Sequence, residues 1–251
     1  MHDLKKLYHG CSRFDHTGLR RTPENVRRVR ASLSRLLRAL HAAMEAEGVR
    51  YTAVDGTLLG VVRDRDFIPW DDDIDLAVHP DDWDACVARA LPRAAAALGV
   101  PSRLEAVAAG GGRWYKLHDL TLDLHADVVR ADLEHNTALG LVNWRDSTEL
   151  LDAPLVTYRL RGGEACRGPP AAAAEAYLRR YYGAGWRTPR CGDARARRAC
   201  YAVVGILALA CAALAAAAGR AGRAWGAALA MIVFLALVWF ALTVRARSRP
   251  R

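Results

Sequence analysis

Residues 55–76 read DGTLLGVVRDRDFIPWDDDIDL. They place a Gly-Thr turn shortly before a dense row of carboxylates at Asp71, Asp72, Asp73 and Asp75. Four acids within five positions repel one another, so a fold keeps them together only with a counter-charge. A divalent cation that carries a phosphate group is the natural candidate, because hard cations prefer carboxylate oxygens.

The spacing of these acids predicts which of them act together. Side chains at i and i+2 of a strand share a face, and a strand is predicted to start near Asp73. Asp73 and Asp75 then project together, while Ile74 faces the core. All-oxygen ligands favour Mg²⁺ or Mn²⁺ over zinc. Asp71 has the same parity and is a further candidate ligand, whereas Asp72 points the other way.

The Gly-Thr pair is a candidate phosphate-binding turn. Gly56 and Thr57 follow a strand predicted over 49–54 and open a short helix. Glycine lets the backbone approach a phosphate closely, and the free amides at a helix start attract anions. Gly-Thr is also ordinary turn chemistry, so the prediction gains weight only from the acids that follow. Arg63 and Lys116 could neutralise phosphate charge, or they could be ordinary surface cations.

A third carboxylate is expected from another strand, as in many two-metal sites. A hairpin is predicted over 114–117 and 120–129, and it contains Asp123 and Asp127. Asp123 is the first candidate and Asp127 the second. Either residue could instead be an ordinary polar residue at a sheet edge.

The surrounding sequence predicts an α+β fold. Thr22 and Pro23 are a typical helix cap and first turn, and apolar residues recur at helical spacing as far as Met44 before Gly48 ends the pattern. Residues 1–21 are polar and predict a loose arm. The other predicted elements are a helix over 81–98 capped by Asp81 or Asp82 and bent at Pro92, a strand over 155–160 and a helix over 171–182.

Histidines and cysteines give no metal pattern of their own. His2, His9, Cys11 and His16 follow no zinc-binding spacing. The six cysteines lack paired spacing and predict free thiols in a reducing compartment.

The charge distribution argues against nucleic-acid binding. Residues 187–251 hold eleven arginines and one acid, a net charge of +10, whereas the whole chain carries +9. Residues 1–186 therefore carry −1, and the basic character is confined to the tail instead of being spread over a binding face.

Two uncharged apolar runs, 200–219 and 224–244, predict a transmembrane hairpin, with a buried core hairpin as the alternative. About twenty residues suffice to cross ~30 Å of hydrocarbon. Arginines flank the pair, and the beginning of the chain has no apolar signal-peptide region, so we expect a membrane protein with both ends and the domain that carries the acids in the cytosol. The expected organisation is an arm (1–21), a catalytic domain (22–190), a basic linker (191–199), the two spans and a basic tail (245–251).

The motifs carry a family resemblance. The run from Gly56 to Asp75, with Ile-Pro-Trp-Asp-Asp-Asp-Ile-Asp as its core, resembles the LicD family, which includes bacterial phosphocholine transferases and is related to fukutin and fukutin-related protein. Residues 122–127 resemble the family's Asp-hydrophobic-aromatic-Pro-x-Asp segment, although His125 and Ala126 replace the aromatic residue and the proline. Residues 177–189 are similar to its closing motif, and the whole resemblance covers about 33–189.

This resemblance implies a nucleotidyltransferase-like fold, a small mixed sheet with packed helices. It also implies roles for three groups of residues. They are Gly56 and Thr57 in the phosphate-contacting turn, Asp73 and Asp75 as paired ligands of Mg²⁺ or Mn²⁺, and Asp123 as the third carboxylate. The implied reaction moves a phosphocholine- or phosphoribitol-like group from a CDP-linked donor to a hydroxyl of a glycan or glycolipid.

The sequence is also compatible with two other functions. The same acids could serve a nucleotidyltransferase that uses a nucleoside triphosphate and releases pyrophosphate. A catalytically inactive membrane scaffold could also retain the fold, although the intact set of acids argues against it.

Overall fold

The computed structural model describes residue 14 and residues 16–109, 112–136, 143–144 and 147–189. All of them belong to one unit, Met1–Cys191. The predicted linker, both predicted spans and the basic tail lie outside the described residues. Within the described residues, no helix is both long enough and apolar enough to cross a membrane.

The longest helix, α1 (Pro23–Ala46), supplies one layer of the core. The Thr22 side chain accepts a hydrogen bond from the Asn25 backbone N–H and caps the helix, as its sequence predicts. After the helix the chain turns at Gly48, whose φ is +66°. The buried stripe of α1 packs against the sheet and consists of Val29, Leu33, Leu36, Leu37, Leu40 and Met44.

A five-stranded sheet in the order β1-β2-β5-β4-β3 forms the second layer. The pairing of β2 with β5 is parallel and the other three pairings are antiparallel, so the sheet is mixed and the fold is α+β. The strands are β1 (Tyr51–Ala53), β2 (Asp73–Val78), β3 (Ser102–Ala109), β4 (Gly112–Asp119) and β5 (Leu124–Arg130). Two small antiparallel ribbons pair β6 (His135–Asn136) with β7 (Asn143–Trp144), and β8 (Val156–Arg159) with β9 (Ala165–Gly168).

The remaining helices are short. They are α2 (Asp55–Arg63), α3 (Trp83–Ala85), α4 (Leu91–Ala97) and α5 (Ala171–Tyr182), with 3₁₀ turns at Pro80–Asp82 and Thr148–Leu150.

The helix predicted over 81–98 is wrong in two respects. Its first turn is capped by the His79 side chain, which accepts from the Asp81 backbone N–H, and not by Asp81 or Asp82. A π-helical turn at Cys86–Ala90 also separates α3 from α4. Pro92 lies in the first turn of α4, where a missing N–H is tolerated.

The two faces of the sheet differ in chemistry. Apolar residues of β2 and β5, such as Ile74, Leu76 and Val128, are fully buried in the core. The alternating positions carry Asp73 and Asp75 on β2, with histidine, aspartate and lysine on the neighbouring strands. One face of the sheet therefore builds the core, and the other presents a dense polar array.

The described part of the predicted N-terminal arm is not loose. Phe14 is 1% exposed and belongs to the hydrophobic core. The backbone N–H groups of His16 and Thr17 donate to the Asp72 carboxylate at 2.9–3.1 Å, and that side chain is fully buried. This segment therefore packs against the acidic stretch, and a buried charge that needs donors explains why.

Candidate functional site

The register of three strands builds the polar site. On the parallel pair β2 and β5, Asp73 lies opposite His125, and Asp75 lies opposite Asp127. On the antiparallel pair β4 and β5, Lys116 lies opposite Asp127. These side chains share one face of the sheet, so the local alternation of each strand and the long-range pairing together create the cluster.

Carboxylate oxygens of Asp73, Asp75 and Asp127 lie within 4.8 Å of one another, a spacing at which a single metal ion could contact all three. Burial raises the pKa of Asp75 well above its usual range, and the negative charges of Asp73, Asp55, Asp127 and Asp71 raise it further. Such crowding is unfavourable without a counter-charge. The three carboxylates could therefore hold a metal ion.

Asp127 is held in place by two donors and lies beside an imidazole ring. Its carboxylate accepts from Trp114 Nε1 at 2.9 Å and from Lys116 Nζ at 2.9 Å, and His125 Nε2 lies 3.2 Å away. Burial alone would raise the pKa of Asp127, but the His125 hydrogen bond and the Lys116 charge outweigh it and hold that pKa below its usual range. This carboxylate is therefore ionised, and Lys116, predicted from the sequence as a candidate phosphate-binding cation, lies beside it.

Asp123 lies outside this cluster. It immediately precedes β5 with a φ of +53°, and its side chain is 73% exposed. Its carboxylate lies 3.3 Å from His118 Nδ1. The structure thus gathers Asp127, the second sequence candidate, with Asp73 and Asp75, and it places Asp123 in a turn.

The first turn of α2 contacts two of the acidic residues, Asp71 and Asp75. The Asp75 backbone N–H donates to Thr57 Oγ1 at 2.8 Å, so Thr57 ties the helix start to β2. A Cβ added at Gly56 would lie 2.7 Å from Asp71 Oδ2. This close approach explains why position 56 is a glycine. Asp71 is therefore packed directly against this turn. Both residues of the predicted phosphate-binding turn thus lie beside the acids.

Asp55 joins the site although it was not among the predicted ligands. It is the first residue of α2, with a φ of +43°, and its carboxylate accepts from the Tyr177 hydroxyl at 3.2 Å. Its charge acts on Asp75, as described above. In the sequence, its position directly before Gly56 and Thr57 was the signal that could have indicated a role in the site.

Arg63 is held beside the Trp70 loop. Its guanidinium group pairs with Asp64 at 2.7 Å and lies 6.0 Å from the Trp70 ring centre. The Arg63 side chain is only 7% exposed. Arg63 also donates from Nη1 to the Trp186 carbonyl oxygen at 3.4 Å. None of these described contacts is with the three gathered carboxylates.

His16 is a second residue that the sequence did not single out as part of the acid site. Its Nε2 lies 2.8 Å from Asp73 Oδ2, and its ring packs edge-on against His125 with ring centres 4.8 Å apart. About fifty-seven residues separate His16 from Asp73 along the chain. Because no local spacing connects them, only the folded chain reveals the contact.

Comparison with known proteins identifies the domain that contains this site. Residues 48–142 match the family model described as LicD/FKTN/FKRP, nucleotidyltransferase domain. This match includes both strands that carry the three gathered carboxylates.

Two curated relatives share part of this region. Over 48 residues the chain is 44% identical to lipopolysaccharide cholinephosphotransferase LicD of Haemophilus influenzae, covering 19% of this chain and 18% of that protein. Over 55 residues it is 42% identical to ribitol 5-phosphate transferase FKRP of Mus musculus, covering 22% of this chain and 11% of that protein. The alignments thus span less than a fifth of either relative. Residues 48–142 of the chain are therefore similar to the nucleotidyltransferase domain of the LicD family.

Proposed function

We propose that this protein is a metal-dependent transferase that moves a phospho-alcohol group from a CDP-linked donor to a hydroxyl of a glycan or glycolipid. The observation that carries the proposal is the convergence of Asp73, Asp75 and Asp127 within 4.8 Å inside the family-matched region. The names of the two relatives, a cholinephosphotransferase and a ribitol 5-phosphate transferase, support this class of transferred group.

The three carboxylates would hold Mg²⁺ or Mn²⁺, which supplies positive charge to the donor phosphates as negative charge develops there. Asp75 is oriented through its backbone by Thr57, and Asp127 is oriented by Trp114 and Lys116. Because these supports are fixed in the folded protein, the carboxylates need little rearrangement before the reaction.

The residues around the triad would bind the anionic donor. Lys116 places an ammonium group beside Asp127, and Gly56 brings the backbone at the start of α2 next to Asp71. The amides of that first turn attract anions. Together they would orient the diphosphate of the donor across the edge of the acid cluster.

The acceptor would be reached at a membrane. This part of the proposal rests on the apolar runs 200–219 and 224–244 and on the arginines that flank them, which favour a catalytic domain in the cytosol. A membrane position suits a lipid-linked glycan acceptor. Protection of the catalytic domain from protease in sealed vesicles would contradict the cytosolic orientation.

Donor binding and cleavage test the central proposal. The full chain is incubated with CDP-choline, CDP-ribitol or CTP, with Mn²⁺, with Mg²⁺ or with EDTA, and both thermal shift and release of CMP or pyrophosphate are measured. We expect a metal-dependent shift and slow CMP release from at least one CDP-alcohol, and neither in Asp75→Asn. Pyrophosphate release from CTP without CMP release from the CDP-alcohols would overturn the proposal and support the nucleoside triphosphate reaction.

A further inference from the structure

Three side chains beside the acid triad form a second group with different donor atoms. Nitrogen or oxygen atoms of His16, Asp73 and His125 lie within 4.8 Å of one another. The side chains of His16 and Asp73 are each 15% exposed, and that of His125 is 7% exposed. Asp73 is therefore common to this group and to the all-oxygen triad.

Two features of the fold fix the members of this group. Asp73 and His125 are register partners on β2 and β5, so their side chains stand next to each other. His16 reaches them from the N-terminal segment, whose backbone is anchored on the buried carboxylate of Asp72. The pairing of β2 with β5 and the anchored backbone at His16 hold this group together, which distinguishes it from a chance cluster at the surface.

We propose that His16, Asp73 and His125 form a second cation site, selective for borderline divalent ions such as Zn²⁺ and Co²⁺. Two imidazole nitrogens and one carboxylate suit these ions, whereas Mg²⁺ prefers oxygen ligands. The shared Asp73 has two oxygens and could serve both sites. This proposal concerns cation binding alone and does not depend on the identity of the donor.

Lys116 occupies part of the space that such an ion needs. Its ammonium nitrogen lies 2.8 Å from His125 Nε2 and 2.9 Å from Asp127. A bound ion must displace this ammonium group from His125, because two positive charges at one nitrogen repel each other. The lysine should therefore weaken binding of the ion, and its removal should strengthen it.

The test measures Zn²⁺ affinity of the full chain, purified in mild detergent, by chelator competition with millimolar Mg²⁺ present. Because even supporting residues of a metal site change affinity by about 10–100-fold, His16→Gln and His125→Gln should each weaken binding at least about tenfold. The matched control is His118→Gln. His118 is 8% exposed and its ring centre lies 5.3 Å from that of His125, but it is outside the group. We expect its affinity to stay within about twofold of wild type.

Two further measurements keep the proposal open to refutation if a variant folds poorly. Lys116→Met should bind Zn²⁺ more tightly than wild type, and weaker binding would contradict the site. The Co²⁺ form of the wild-type protein should show nitrogen ligands by X-ray absorption spectroscopy. Oxygen-only ligation, a thiolate charge-transfer band or unchanged Zn²⁺ affinity in His16→Gln would overturn the proposal.

Discussion

Asp75 and Asp127 lie directly opposite each other on two neighbouring parallel strands, although about fifty residues separate them in the chain. Asp127 accepts hydrogen bonds from Trp114 and Lys116 and lies close to His125, whereas Asp75 is surrounded by other carboxylates. The pair therefore combines one carboxylate that is already stabilised with one that needs a cation. The first prediction follows from this difference.

Asp127→Asn should abolish metal-dependent stabilisation, and Asp123→Asn should leave it intact. At a cation concentration of 100 times Kd, binding adds about 2.7 kcal/mol to the free energy of unfolding. That corresponds to a rise in Tm of about 5–10 °C for a domain of this size. Differential scanning fluorimetry with Mn²⁺ and with EDTA measures the rise. The opposite result, loss of the shift in Asp123→Asn only, would show that the exposed turn supplies the ligand.

Thr57→Val should destabilise the protein by about 1–3 kcal/mol, because it removes the hydroxyl that accepts from the partly buried Asp75 backbone N–H. Thr57→Ser keeps the hydroxyl and is the matched control, with a smaller effect expected. Urea unfolding measures both variants. Equal stability of the valine and serine variants would show that the hydroxyl does not support β2.

Gly56→Ala should be destabilising, and the effect should depend on Asp71. The added Cβ would lie 2.7 Å from Asp71 Oδ2, so the carboxylate must move, and such overpacking typically costs about 1–3 kcal/mol. Asp71→Ala removes the obstacle. A double-mutant cycle should therefore show coupling of at least about 0.5 kcal/mol. Additive effects of the two substitutions would mean that the helix start is not limited by this contact.

Asp119 should make stability depend on pH in the acid range. Burial would raise the pKa of this fully buried carboxylate, but hydrogen bonds from Ser32, Thr121 and Arg35 outweigh burial and lower it. Because the pKa is lowered in the folded state, ionised Asp119 adds its full contribution to the free energy of unfolding above the unfolded pKa of about 3.9. That contribution is lost as pH falls through the folded pKa.

The measurement compares urea unfolding of wild type and Asp119→Asn from pH 6 to pH 3. We expect a loss of about 1–3 kcal/mol in the variant at pH 6, and a smaller difference as pH falls toward 3. Asp152→Asn, at an exposed position, is the control and should change stability by less than about 0.5 kcal/mol. A difference for Asp119→Asn that stays constant over this range would contradict the assigned ionisation.

The sequence predicts most of the local structure because the relevant signals are local. The Thr22 cap, the apolar spacing of α1 and the alternation around Asp73 each act within one element. The pairing of β2 with β5 is different, since it depends on how the chain closes around β3 and β4. That pairing decides between Asp123 and Asp127, which lie only four positions apart, and no periodicity within residues 120–129 reveals it.

His16 was missed for a related reason. Its neighbours Asp72 and Asp73 lie in another element, and the contact forms because the buried Asp72 carboxylate needs backbone donors. Because the His16 backbone is bonded to Asp72, the His16 side chain lies next to Asp73. A pattern of metal ligands along the sequence cannot show this, because its members come from three separate segments of the chain.

The parallel pairing of β2 with β5 also bears on how the protein folds. Closing a loop of about fifty residues costs about 3.5 kcal/mol of chain entropy beyond a constant, and the same step brings Asp75 and Asp127 together against their repulsion. A divalent cation should favour this closure, so we expect Mn²⁺ to speed refolding or slow unfolding of wild type in stopped-flow experiments, but not of Asp75→Asn. The cation that the site would use in its chemistry would then also act as a folding ligand, and ion supply would set the amount of native protein as well as its activity.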